Sequence, residues 1–77
     1  MDYGTKVRVM RAARGISQLE LGSRSGVANF MLSMIETGKF LPTPDMDGAI
    51  RDALCWSERD DAALEMLAEP QPEGAPA

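Results

Sequence analysis

The sequence predicts an all-α fold, a compact bundle of about five short helices spanning residues 1–68. Three observations predict it. Apolar residues recur at the three- and four-residue spacing that lines one helix face. Glycine follows each of the first three such segments, at Gly15, Gly26 and Gly38, and glycine tolerates the left-handed backbone that ends a helix. Serine or threonine precedes three segments, at Ser17, Thr43 and Ser57, where a side-chain oxygen can cap free amides.

The first helix is expected from about Thr5 to Arg14, with Val7, Met10 and Ala13 on one face. Ser17-Gln18-Leu19-Glu20 has the capping-box pattern, in which Ser17 and Glu20 satisfy each other's amides. It opens a second helix ending near Ser25. A third runs from Ala28 or Asn29 to about Thr37. After the loop Phe40-Leu41-Pro42, Thr43 caps a fourth helix with Pro44 at its first position. Met46, Ala49, Ile50, Ala53 and Leu54 form its apolar face. Ser57 and Asp60 give a looser cap signal for a fifth helix to about Ala68, with Ala63, Leu64 and Leu67 as its stripe. Residues 69–77 hold three prolines, a glycine and two glutamates, and such an acidic, proline-rich tail is expected to be disordered.

Composition narrows the function. The 77-residue chain has room for one small domain. It has no histidine, so no imidazole base or imidazole metal ligand. Its one cysteine, Cys55, has no partner for an intramolecular disulfide, which fits a reducing compartment, and it is expected to be buried. Glu58, Asp60 and Asp61 sit in a first helical turn, where acids favour the macrodipole. No enzyme, cofactor or metal site is indicated. No apolar run reaches membrane-spanning length and the N-terminus lacks a signal-peptide pattern, so a cytoplasmic location is expected.

The net charge is −4 and unevenly spread. Up to Pro44 there are six basic residues and three acidic ones, a net +3. From Asp45 onward there are two basic residues and nine acidic ones, a net −7. Such a split orients a protein on an anionic polymer, or simply keeps the chain soluble.

The stretch from Gln18 to Ile35 carries the functional signal. Gly22 is small where two helices meet, and Gly26 accepts the positive φ of a tight turn. Leu21, Val27, Leu32 and Ile35 anchor the two helices. The run Val7-Arg8-Val9-Met10-Arg11-Ala12-Ala13-Arg14-Gly15-Ile16-Ser17-Gln18-Leu19-Glu20-Leu21 and the run Ile35-Glu36-Thr37-Gly38-Lys39 followed by Pro42, with Ile50, Ala53 and Leu54, resemble the lambda-repressor-like (Cro/repressor, xenobiotic-response-element type) helix-turn-helix family over roughly Thr5 to Trp56. The resemblance implies a sequence-specific DNA-binding regulator of transcription, a repressor by analogy, whose third helix enters the major groove. It implies that Gln18 meets a phosphate with the free amides of its helix. It also implies an Arg11–Glu36 pair, structural first, with a phosphate contact by Arg11 second.

On the third helix, Ala28, Met31, Leu32 and Ile35 fall on the core side. Asn29, Phe30, Ser33, Met34 and Thr37 face outward. Asn29 suits an adenine edge, Phe30 and Met34 suit thymine methyls, and Ser33 suits a base or a phosphate. Thr37 and Lys39 are placed for phosphates. The chain departs from the family pattern at Ala28, which cannot cap; at Ser25, where an apolar residue normally packs; and at Asp47, an expected core position that a register shift gives to Met46. The expected partner is double-stranded DNA, bound by a homodimer through two half-sites. Trp56, Leu64, Met66 and Leu67 are the expected dimer surface, with core packing the alternative for Leu64 and Leu67. A second functional alternative is a protein-interaction module using the Phe30/Met34 face, and a third is a regulatory protein partner covering that face. A phage repressor, a restriction-modification controller and an antitoxin all fit the sequence.

Overall fold

The computed structural model describes residues 1–68, and there the chain forms five α-helices and no strand. The tail expected over 69–77 lies outside the described residues. Helix α1 spans Tyr3–Arg14. It starts two residues before the apolar stripe suggests because Asp2 caps it, Oδ1 accepting from the Thr5 amide at 2.8 Å. Gly15 ends it at φ 69°.

Helix α2 spans Gln18–Ser25, and Ser17 Oγ accepts from the Glu20 amide at 3.0 Å. The reciprocal half of this capping box is absent, because the Glu20 carboxylate pairs with Arg24 one turn along. The weaker-looking signal is the one that closes. At the start of α5, Glu58–Ala68, Ser57 N–H donates to Asp60 Oδ2 at 2.9 Å and Asp60 N–H donates to Ser57 Oγ at 3.3 Å.

Only Gly26, Val27 and Ala28 separate α2 from α3, Asn29–Glu36. Gly26 turns the chain at φ 77°, and Ser25 Oγ accepts from the Val27 amide at 3.2 Å. The polar residue at an expected apolar position thus stitches the turn. Helix α4, Pro44–Leu54, carries its threonine cap, with Thr43 Oγ accepting from the Met46 amide at 3.2 Å. It ends at Cys55, which has φ 52°. The expectation of a buried cysteine is corrected: the thiol is exposed, since a left-handed cap residue turns away from the α4 face that Ile50 and Leu54 bury.

The core is Val7, Met10, Leu21, Val27, Leu32, Ile35, Ile50, Leu54, Trp56 and Leu64, with Met31, Met46 and Ala53 packed against it. Helix α1 packs on α3 and α4, and α2 packs on α3 and α4. Asp47 is half-buried beside Met46, and there it accepts from the Tyr3 hydroxyl at 2.7 Å and pairs with Arg51. Ala13, Ala63 and Leu67, expected on apolar faces, are exposed. The last turn of α1 is tied ionically instead: Arg14 donates to the carbonyl oxygens of Leu54 and Cys55 at the end of α4 and to Asp60.

The expected dimer surface is corrected in part. Trp56 and Leu64 are core residues, 6% and 3% exposed. Trp56 stacks on Tyr3 at a centroid distance of 5.7 Å, lies 4.4 Å from the Arg51 guanidinium and donates Nε1–H to Asp61 at 2.8 Å. Met66 and Leu67 remain exposed. Among the described residues, no helix is long and apolar enough to cross a membrane.

Candidate nucleic-acid interface

Helix α3 is held from one side and open on the other. Leu32 and Ile35 are fully buried, and Met31 packs against the core. Asn29, Phe30, Ser33, Met34 and Thr37 are exposed. These five residues span about 140° of the helix circumference at 100° per residue. They form two rows at four-residue spacing: a polar row of Asn29, Ser33 and Thr37, and an apolar row of Phe30 and Met34.

The far end of α3 is fixed by α1. Glu36 is 5% exposed and accepts from Arg11 Nε at 2.9 Å and Arg11 Nη2 at 3.0 Å. The same guanidinium donates Nη1–H to the Ile16 carbonyl at 3.2 Å. The hydrogen bonds to Glu36 hold Arg11 protonated beyond its ordinary range, outweighing the desolvation that opposes them. At Gly4 the backbones approach so closely that a Cβ would lie 2.7 Å from the Glu36 carbonyl oxygen and closer still to that of Ile35. Gly22 serves the α2–α3 turn similarly, its Cβ position lying 3.0 Å from the Val27 carbonyl oxygen.

The expected phosphate contacts fare unevenly. Lys39 is exposed and makes no ion pair among the described residues. Gln18 is drawn inward, its Nε2 donating to Glu36 Oε1 at 3.3 Å, because the buried carboxylate recruits every donor in reach. The Thr37 hydroxyl is turned back onto its own helix, within hydrogen-bonding distance of the Ser33 and Met34 carbonyls at 2.9 and 3.2 Å. Arg11 is committed to Glu36. Only Lys39 therefore keeps an uncommitted donor.

The basic front is also less free than the linear charge map suggests. Helix α5 sends carboxylates back to α1, with Lys6 Nζ 2.7 Å from Glu65 and Arg14 Nη2 3.1 Å from Asp60. The remaining charge near α3 is simple. Its one acid, Glu36, is buried and paired, Arg24 on α2 is exposed but paired with Glu20, and Lys39 beyond α3 is exposed. Ala28 provides no side-chain acceptor, so no side chain caps the first-turn amides of α3.

One residue of this surface was not anticipated. Leu19 is 71% exposed and lines a shallow groove with Gly22, Ala28 and Asn29 at the α2–α3 junction. Periodicity held the signal: Leu19 lies two residues from buried Leu21 and so on the far side of α2. Among the described residues, no three His, Cys, Asp or Glu side chains gather around a common metal position.

Compared with models of known protein families, with curated proteins and with solved structures, the chain matches none.

Proposed function

We propose that this protein is a sequence-specific DNA-binding regulator of transcription, lambda-repressor-like in mode, that inserts α3 into the major groove. The observation that carries this is the outer face of α3. It is exposed along its whole length, holds no acid, is followed by the unpaired Lys39, and is locked to the body by Arg11 and Glu36. A rigid helix projecting uncommitted side chains is what base-edge recognition needs. Asn29, Phe30, Ser33 and Met34 are the base-facing set and Lys39 a phosphate contact. One such helix reads only a few base pairs, so a homodimer on two half-sites supplies the specificity. Met66 and Leu67 are the exposed apolar residues on α5 left to mediate it. The role is binding and not catalysis.

Selection from a random duplex pool, followed by a salt titration, tests the proposal. The expected outcome is a palindromic motif whose binding weakens steeply with salt. Asn29→Ala is expected to relax preference at one base position by about 1–3 kcal/mol while sparing non-specific binding. An unenriched pool at low salt sinks the proposal. A second reading, a protein-interaction module, is favoured by one observation: Phe30 and Leu19 are 66% and 71% exposed, an apolar display that also suits a protein partner.

A further inference from the structure

We infer that the outer face of α3 selects duplexes by the C5-methyl groups of their pyrimidines, through Phe30 and Met34, and contains no cationic reader of guanine. This rests on the DNA-binding function proposed above and adds the chemical class of the site it recognises.

The major groove offers few apolar features. The C5-methyl group is the one a base pair presents there, on thymine or on a methylated cytosine, while guanine is read most often by arginine or lysine. Helix α3, Asn-Phe-Met-Leu-Ser-Met-Ile-Glu, has neither cation. Its outward apolar side chains are Phe30 and Met34, 66% and 37% exposed. They stand on one row, about 6 Å apart along the axis, which matches roughly two base steps at about 3.4 Å each. Beside them, Asn29 and Ser33 supply the polar row, and Asn29 has the donor and acceptor that pair with an adenine edge. An apolar row next to an amide row fits the two edges of a thymine–adenine pair.

Charge complementarity makes the occupant a nucleic acid. Lys39 lies just past α3, exposed and with no ion pair among the described residues, Glu20 and Glu36 on α2 and α3 are both paired, and no side chain caps the α3 amides. The contacts would be van der Waals contacts, so each methyl is worth about a fourfold change in affinity.

The test uses the full-length protein and a half-site recovered by selection. Each thymine is replaced in turn by deoxyuridine, which removes the C5-methyl group alone. Affinity is expected to fall about fourfold at one or two positions. Phe30→Ala or Met34→Ala, checked for helix content by circular dichroism, is expected to erase that difference at its own position, and Asn29→Ala to retain it. At a sensitive position, cytosine and 5-methylcytosine are then compared. A gain on methylation shows that either methylated pyrimidine is accepted, whereas no gain confines recognition to thymine. Tight binding that ignores every deoxyuridine replacement, or a selected half-site without thymine, overturns the inference and leaves DNA binding standing. A methyl effect that survives in both Phe30→Ala and Met34→Ala overturns the assignment to these residues. Failure to bind any duplex at low salt overturns both and gives the apolar row to a protein partner.

Discussion

Arg11 and Glu36 meet fork to fork, with Nε–Oε2 at 2.9 Å and Nη2–Oε1 at 3.0 Å, and they join α1 to the last residue of α3. The carboxylate is buried, so its partner matters more than the pair's net gain. Removing one member of a buried pair strands the other charge and typically costs about 3–5 kcal/mol, whereas replacing both by apolar residues is often near neutral. Gln18 softens the loss by donating to the same carboxylate. Arg11→Ala is therefore expected to cost about 3 kcal/mol in urea unfolding, a large share of a small domain's stability. Arg11→Lys should recover only part, because an ammonium cannot bond in bidentate fashion. A loss under about 1 kcal/mol for Arg11→Ala would show that the pair does not hold α3 in place.

Tyr3 predicts the alkaline behaviour. Burial, then the hydrogen bond to Asp47, push its phenol well above the ordinary value of 10.0. Below about pH 10 both folded and unfolded chains keep the proton. Above it the unfolded chain releases the proton first, so stability falls as pH rises. Tyr3 is the sole tyrosine, and phenolate absorbance reads it directly. Ionisation is expected only together with unfolding, and Tyr3→Phe should remove that alkaline slope. A free phenol titrating near pH 10 in the folded protein would contradict the Asp47 contact.

Acid acts at the opposite end of the same cluster. The Asp60 carboxyl lies below its ordinary 3.8 because the Ser57 amide donates to it, aided by the Ser57 hydroxyl and Arg14. Asp61 is pushed up by desolvation, yet hydrogen bonds from Trp56 and Arg51 outweigh this and leave it lowered. Groups lowered in the folded state contribute stability above their unfolded pKa and lose it as pH falls through the folded value. Stability should thus decline below about pH 4, beginning where α5 meets α1 and α4. Emission from Trp56, the only tryptophan, is the readout. Asp61→Asn is expected to flatten the acid limb. An unchanged acid profile in that variant would remove Asp61 from the account.

The helices and the outward face of α3 were legible because each rests on local chemistry: Gly15 and Gly26 as caps, Ser17 and Thr43 as N-caps, and the 3.6-residue spacing of Leu32 and Ile35. What was not legible depends on partners distant in sequence. Nothing near Gln18 announces that it turns toward Glu36, 18 residues away. Nor does the charge map show that Glu65 and Asp60 neutralise Lys6 and Arg14. Trp56 was misplaced for a related reason, whereas Leu64 took the core packing given as its alternative. Helix α5 has a weak apolar stripe, so which side it buries is decided by the Tyr3–Trp56 stack and the Arg51 ion pairs.

Two helical glycines should respond oppositely to alanine. A Cβ at Gly4 would press on the carbonyl oxygens of Ile35 and Glu36. Both belong to helical backbone, which cannot yield as a side chain does. Overpacking of this kind costs about 1–3 kcal/mol, and any relief requires α1 to move off α3. At Gly48, within α4, a Cβ meets nothing within 4 Å. There alanine restricts the unfolded chain and suits the helix, a gain of about 0.4–1 kcal/mol. Thermal unfolding of Gly4→Ala and Gly48→Ala against the parent should move Tm in opposite directions. A Gly4→Ala protein as stable as the parent would mean that α1 and α3 are not in backbone contact, and α3 would then depend on Arg11 and its buried leucine and isoleucine alone.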